Sequence, residues 1–190
     1  MSVVIAIKEK NSIIMGCDSQ VTIGQLKDRL SKDHNKIFKI KNCKHGLMGV
    51  VGFCRDSQLL SVQDNLIDKL HILENKIDYD YVVKNLYSDI YKVLLDNNRI
   101  DKDSNGNNVN YTNNHYIFAF KDSAWLICCD GTVFEIDDYL VTGSGEEIAI
   151  GVLENNKGKS AEERIKEAIK SCSDKTIYVD NKVVIKSTKE

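Results

Sequence analysis

The hydrophobic pattern is clearest at the start of the chain. Val3-Val4-Ile5-Ala6-Ile7 is uninterruptedly apolar, Glu9-Lys10-Asn11 is polar, and Ile13-Ile14-Met15 resumes the apolar run. Short apolar runs parted by a polar turn predict two adjacent strands. Residues 24–34 are polar and charged and read as a loop, or at most a helical turn, leading to a strand over 36–40. Another strand follows at 47–51, with Gly46, Gly49 and Gly52 in or beside it. At Cys54 the period changes from two to nearly four. Leu59, Val62, Leu66 and Leu70 fall on one helical face, and beyond Asn75-Lys76 so do Val83, Leu86, Ile90 and Val93.

Residues 97–114 are rich in asparagine and poor in apolar side chains, which predicts an exposed loop or an enlarged hairpin. Strands return at 116–120 and 125–129 and continue through 132–134 and 140–141 as an antiparallel meander. Gly143-Ser144-Gly145 leads into a helix over 146–154. A further helix starts at a capping box, with Ser160 as cap and Glu163 reaching back. Residues 176–179 and 183–185 read as a closing hairpin across Asp180-Asn181. Strands thus alternate with two blocks of paired helices. That order predicts an α+β fold, a four-layer αββα sandwich of two stacked antiparallel sheets, in a single domain over residues 1–190.

Composition narrows the function classes. A net charge of -2, with both signs interspersed, gives no footprint for nucleic acid. The apolar runs are far too short to span a membrane, and no leader pattern precedes the first strand, so a cytoplasmic protein is expected. The six cysteines show no CxxC spacing and read mostly as small buried hydrophobes in a reducing compartment. The sequence leaves any metal site undefined.

Candidate chemistry lies at Ser2. Once Met1 is removed, Ser2 carries a free α-amine, which titrates near pH ~7.7–8.0 and can serve as base for its own hydroxyl. Ser2 would then lie at one edge of the gap between the sheets.

Taken together, residues 2–7, Gly16-Cys17-Asp18-Ser19-Gln20-Val21-Thr22-Ile23-Gly24, Asn35-Lys36-Ile37, Gly49-Val50-Val51-Gly52, Gly143-Ser144-Gly145 and Asp174-Lys175-Thr176-Ile177-Tyr178 resemble the proteasome-type N-terminal-nucleophile hydrolases, most closely the bacterial HslV peptidases. The matches keep the family's order and spacing over nearly the whole chain. The resemblance implies the N-terminal-nucleophile hydrolase fold and Ser2 as nucleophile in place of the usual threonine. It also implies Asp18 and Lys36 as the buried ion pair beside it, Gly49 as the oxyanion-hole residue, Ser144 near the terminal amine, and Asp174 as a further site member.

By the same resemblance the chain is a peptidase of a homo-oligomeric ring, a hexamer or double hexamer, cutting unfolded polypeptides. It implies no cofactor in the chain itself, leaves open a structural monovalent cation, and places any need for ATP in a partner unfoldase. Two other readings stand beside it: a non-catalytic ring subunit that retains Met1, and an amidohydrolase acting on small molecules. Residues 24–36 are longer than in the bacterial peptidases, and 97–114 reads as an added loop.

Overall fold

A computed structural model describes residues 2–24, 26–31, 35–73 and 77–189. Strands β1 (Val3–Glu9) and β2 (Ser12–Asp18) form the expected hairpin, with Ala6 opposite Met15. Next comes a second hairpin, β3 (Gln20–Ile23) and β4 (Leu26–Arg29), where the sequence reading expected a loop. Of its described residues only Gln20 is buried, so neither face carries the alternation that marks a half-buried strand. It is pinned to the body by Leu30 N–H donating to Ser19 O at 2.9 Å.

Strands β5 (Ile37–Lys39) and β6 (Gly46–Val51) precede the first helical block. The long helix expected from Cys54 is broken into α1 (Cys54–Ser61) and α2 (Lys69–Leu73). Lys41 Nζ takes the Val62 carbonyl at 2.9 Å and Asn42 Nδ2 takes the Asp64 carbonyl at 2.7 Å. Side chains from the β5–β6 turn thus occupy acceptors that a continuous helix needs, and Val62 and Leu70 point to solvent.

The second helical stretch runs through α3 (Tyr79–Tyr81), a π turn (Val82–Leu86) and α4 (Tyr87–Asp96), with Asp78 Oδ1 accepting Tyr81 N–H at 2.9 Å as its cap. The π turn rotates the buried face to Val82, Leu86, Ile90 and Leu94, leaving Val83 exposed.

The meander consists of β7 (His115–Phe120), β8 (Ser123–Ile127) and β9 (Val133–Glu135). Strand β10 (Tyr139–Gly143) leaves it and pairs with β1 in the other sheet. Helices α5 (Glu146–Asn155) and α6 (Ala161–Lys175) follow, the latter with the predicted capping box. In place of a closing hairpin there is one strand, β11 (Val183–Ser187), paired with β2. Residues before it are held by side-chain bonds, among them Gln20 Nε2 to Ile177 O at 2.9 Å, rather than by a ladder.

The result is two main antiparallel sheets, β10-β1-β2-β11 and β5-β6-β7-β8-β9. Val4, Ala6, Ile13, Met15, Ile37, Leu47, Ile117 and Ala119 fill the space between them. The outer face of the first sheet packs on α5 and α6 through Val3, Ile5, Leu153, Ile165 and Ile169. The second packs on the helices between Cys54 and Asp96 through Met48, Phe118, Trp125, Leu86 and Ile90. This is the four-layer sandwich the sequence predicts.

Helix α6 lies so close to β2 that a Cβ built on Gly16 would stand 2.2 Å from Ile165 Cγ2. Gly16→Ala is therefore expected to destabilise the fold by about 1–3 kcal/mol through overpacking. Adding Ile165→Ala is expected to recover part of the lost urea midpoint; a midpoint unmoved by the single change would mean α6 sits elsewhere.

Candidate active site at the start of β1

Ser2 immediately precedes β1 and is buried. Gly143, at the end of β10, lies opposite Val3 with φ at +113°, and a Cβ there would come within 2.2 Å of Ser2 O. Only glycine lets β10 pass the Ser2 backbone this closely.

Asp18 ends β2 and is fully buried. Its Oδ1 accepts Val3 N–H at 3.0 Å and its Oδ2 accepts Gln20 N–H at 3.0 Å. Lys36, buried just ahead of β5, places Nζ 2.8 Å from Asp18 Oδ1. Among the described residues the ammonium has no second acceptor. One carboxylate therefore ties the residue after Ser2 to a buried positive charge, and this positive potential favours any negative charge that develops nearby.

Asn35 steadies the pair from behind. Its Oδ1 accepts Lys36 N–H at 2.7 Å and the Cys17 thiol at 3.1 Å. Burial pushes the Cys17 thiol up to about 12 despite the opposing pull of Lys36. The thiol thus stays protonated and is no rival nucleophile.

Ser144 is exposed and lines a hollow of about 590 Å³ with Gly143, Glu146, Glu147, Ile148 and Thr176. The residue capping α5 is Gly145, without a side-chain cap bond, so Ser144 is not spent on starting the helix. Asp174 stands elsewhere. It is exposed in the last turn of α6 and lines a different hollow, with Gly151, Asn155 and Lys170.

Gly49 does not match its expected part. Val50 N–H donates to Lys36 O at 2.9 Å, so strand alternation turns the Gly49 N–H toward β7, where Gly49 lies opposite Ile117. A Cβ on Gly49 would meet Val4 Cγ1 at 2.7 Å and Met15 Cε at 2.9 Å. Its lack of a side chain therefore serves the packing of the two sheets, and its N–H belongs to a ladder.

Two residues outside the predicted set fit the geometry better. Gly52 lies just past the last ladder pair, Val51 with His115, and is exposed. Its N–H takes no acceptor among the described residues. The Val51 side chain reaches within 3.2 Å of the position a Gly143 Cβ would fill, which sets this turn against the start of β1. The second is Asp180, whose carboxylate accepts Ser19 N–H at 3.1 Å, Ser19 Oγ at 3.0 Å and Arg29 Nε at 2.6 Å. Burial works against the charged carboxylate, but these donors outweigh it and hold Asp180 below the usual range. It anchors the residue that follows Asp18. The glycine after a strand and before a helix was a readable signal for Gly52; Asp180 was hidden by its likeness to a turn residue.

Two stacked antiparallel sheets between helical layers, with a serine at the head of the first strand beside a buried Asp–Lys pair, define the N-terminal-nucleophile hydrolase fold. The proteasome subunit family model matches residues 2–187, and the chain belongs to that family. The fold is also that of Thiobacillus denitrificans BPH in complex with epoxomicin, 13% identical over 97% of both chains with a TM-score of 0.72. HslV from Trypanosoma brucei is 18% identical over 97% of this chain and 98% of its own, with a TM-score of 0.63. The Gly-1 mutant of Anbu from Hyphomicrobium sp. strain MC1 is 10% identical over 97% and 80%, with a TM-score of 0.70. A search of curated proteins finds no match. Among the described residues no helix is long and apolar enough to cross a membrane, and no cluster of three or more His, Cys, Asp or Glu is placed to hold a metal. Met1 lies outside the described residues.

Proposed function

We propose that this chain is the peptidase subunit of a self-compartmentalised ring, with Ser2 as nucleophile after removal of Met1. The observation that carries the reading is the buried Lys36–Asp18 pair, bonded directly to the backbone that follows Ser2. The Ser2 hydroxyl adds to a peptide carbonyl while the α-amine takes its proton. The C–N bond then breaks, the same proton passes to the leaving amine, and an ester remains on Ser2. Water, deprotonated by the amine, hydrolyses the ester and regenerates the hydroxyl.

Lys36 keeps the local potential positive, Asp18 orients it, and the exposed Gly52 N–H stabilises the oxyanion. Exposed Ile23 and Leu26 at the β3–β4 tip and exposed Ile177 are suited to burial between subunits. Any ATP requirement belongs to a separate unfoldase, and any monovalent cation is structural.

The test is assembly and hydrolysis together. The processed protein is expected to run as a hexamer or double hexamer and to degrade unfolded casein. A monomer or dimer that cleaves only small amides would favour the amidohydrolase reading instead. Serine also lacks the methyl that restricts threonine's rotamer. Ser2→Thr is therefore expected to turn over one small fluorogenic peptide several-fold faster than the native serine. Equal or slower turnover would remove that part of the proposal.

A further inference from the structure

We infer that Asn114, seated on Asp56, is a positioning residue that aims the Gly52 N–H at the reacting carbonyl oxygen; this rests on the Ser2 reading above. The asparagine-rich segment that ends at residue 114 reads in sequence as exposed, yet its last member is wholly buried at the helical edge of the site. Asn114 Oδ1 accepts Phe53 N–H at 2.7 Å, and Asn114 Nδ2 donates to Asp56 Oδ2 at 2.7 Å. Asp56, itself fully buried in the first turn of α1, receives Arg99 Nε on Oδ1 at 2.5 Å. Thr112 Oγ1 fixes the other end, donating to Asn114 O at 3.1 Å.

This chain of bonds explains the backbone at Gly52. Its φ is +137°, and a Cβ there would lie 2.1 Å from Asn114 Oδ1 and 2.6 Å from Asn113 O. Glycine is required because the Asn114 carboxamide passes over it to reach the next N–H. The Gly52 N–H belongs to the Val51–Gly52 peptide, which spans two anchors: the ladder pair of Val51 with His115 on one side and the Phe53 N–H bond to Asn114 on the other. Asn114 thus fixes the far end of the turn from which that N–H projects, without touching it. An amide suits the position because it must accept from Phe53 and donate to a carboxylate. The surroundings are buried, where a half-satisfied network is costly.

Asn114→Asp replaces the bond to Asp56 with repulsion between two buried carboxylates, which drives the side chain at 114 off its seat and carries the Phe53 acceptor with it. Asp56→Asn combined with Asn114→Asp restores the bonds to Phe53, to Arg99 and between the two side chains with the roles exchanged, and the Tyr116 hydroxyl, which accepts from Asn114 Nδ2 at 3.4 Å, turns to donate. The new carboxylate at 114 accepts from Phe53 N–H and from the new amide at 56, whose carbonyl accepts from Arg99.

Two irreversible probes separate positioning from general damage. A peptide epoxyketone first takes the hydroxyl at its ketone, placing negative charge on an oxygen at the Gly52 N–H. A peptide vinyl sulfone takes it at carbon, and the charge forms beside the sulfone. In the processed protein, Asn114→Asp is expected to slow the epoxyketone about 10–100-fold, since misplacement of one oxyanion donor acts on that step. The vinyl sulfone is expected to slow less than threefold, and the exchanged pair to restore the epoxyketone rate to within about threefold.

Equal slowing of both probes, or no slowing, would overturn the inference while leaving Ser2 in place. If Asn114→Asp fails to fold, the exchanged pair decides: a folded protein still slowed tenfold or more toward the epoxyketone overturns it. Failure of the unmutated, processed protein to react with either probe would instead overturn the Ser2 reading, and this inference with it.

Discussion

Ser2→Ala in the processed protein is expected to abolish peptide hydrolysis, with a loss of at least about 10³-fold. The change removes one oxygen from a buried residue and leaves β1, its pairing with β10 and the Val3 N–H to Asp18 bond in place. Circular dichroism and ring size are therefore expected to be unchanged. The α-amine also remains, so the variant isolates the hydroxyl from the base. Turnover within tenfold of the native chain would mean that another group attacks. Cys17 is poorly suited to that part, because it is buried and held protonated.

Lys36→Met is expected to destabilise the fold by about 3–5 kcal/mol and to abolish turnover as well. Asp18 would keep the Val3 and Gln20 N–H groups but lose the ammonium that offsets its own burial. Breaking such a pair costs more than deleting it. Adding Asp18→Asn is thus expected to recover only part of the urea midpoint, because the amide nitrogen cannot accept one of the two backbone N–H groups, while turnover stays absent. That split separates the two roles, since stability follows the balance of charges and catalysis follows the ammonium itself. A single Lys36→Met variant with an unmoved midpoint would contradict the buried ion pair.

What the sequence revealed follows from where each element stands between core and water. Strands β1 and β2 are buried on both faces and appear as unbroken apolar runs. Helix α6 is buried along one stripe, and its capping box and Ile165–Ala168–Ile169 face were both readable. The β3–β4 hairpin has no buried face, so its pairing left no period to detect. The break after Ser61 is imposed by Lys41 and Asn42, twenty residues away in sequence, which no local pattern records.

The site was legible to a similar degree. Asp18 and Lys36 meet as the family resemblance implied, whereas Asp174 lies on the solvent side of α6 and Asp180 takes a place near Ser19. Gly49 and Gly52 share one glycine-rich strand in sequence. Only the ladder distinguishes the N–H already bonded from the one left open.

The most direct measurement is the intact mass of the purified protein before and after treatment with a peptide epoxyketone, with the adduct mapped by peptide sequencing. The expected result is a chain lacking Met1 that gains a single adduct at Ser2, and no adduct on Ser2→Ala. A chain that retains Met1 and gains no adduct would contradict the account. It would leave a non-catalytic ring subunit in which Asp18 and Lys36 serve the fold alone.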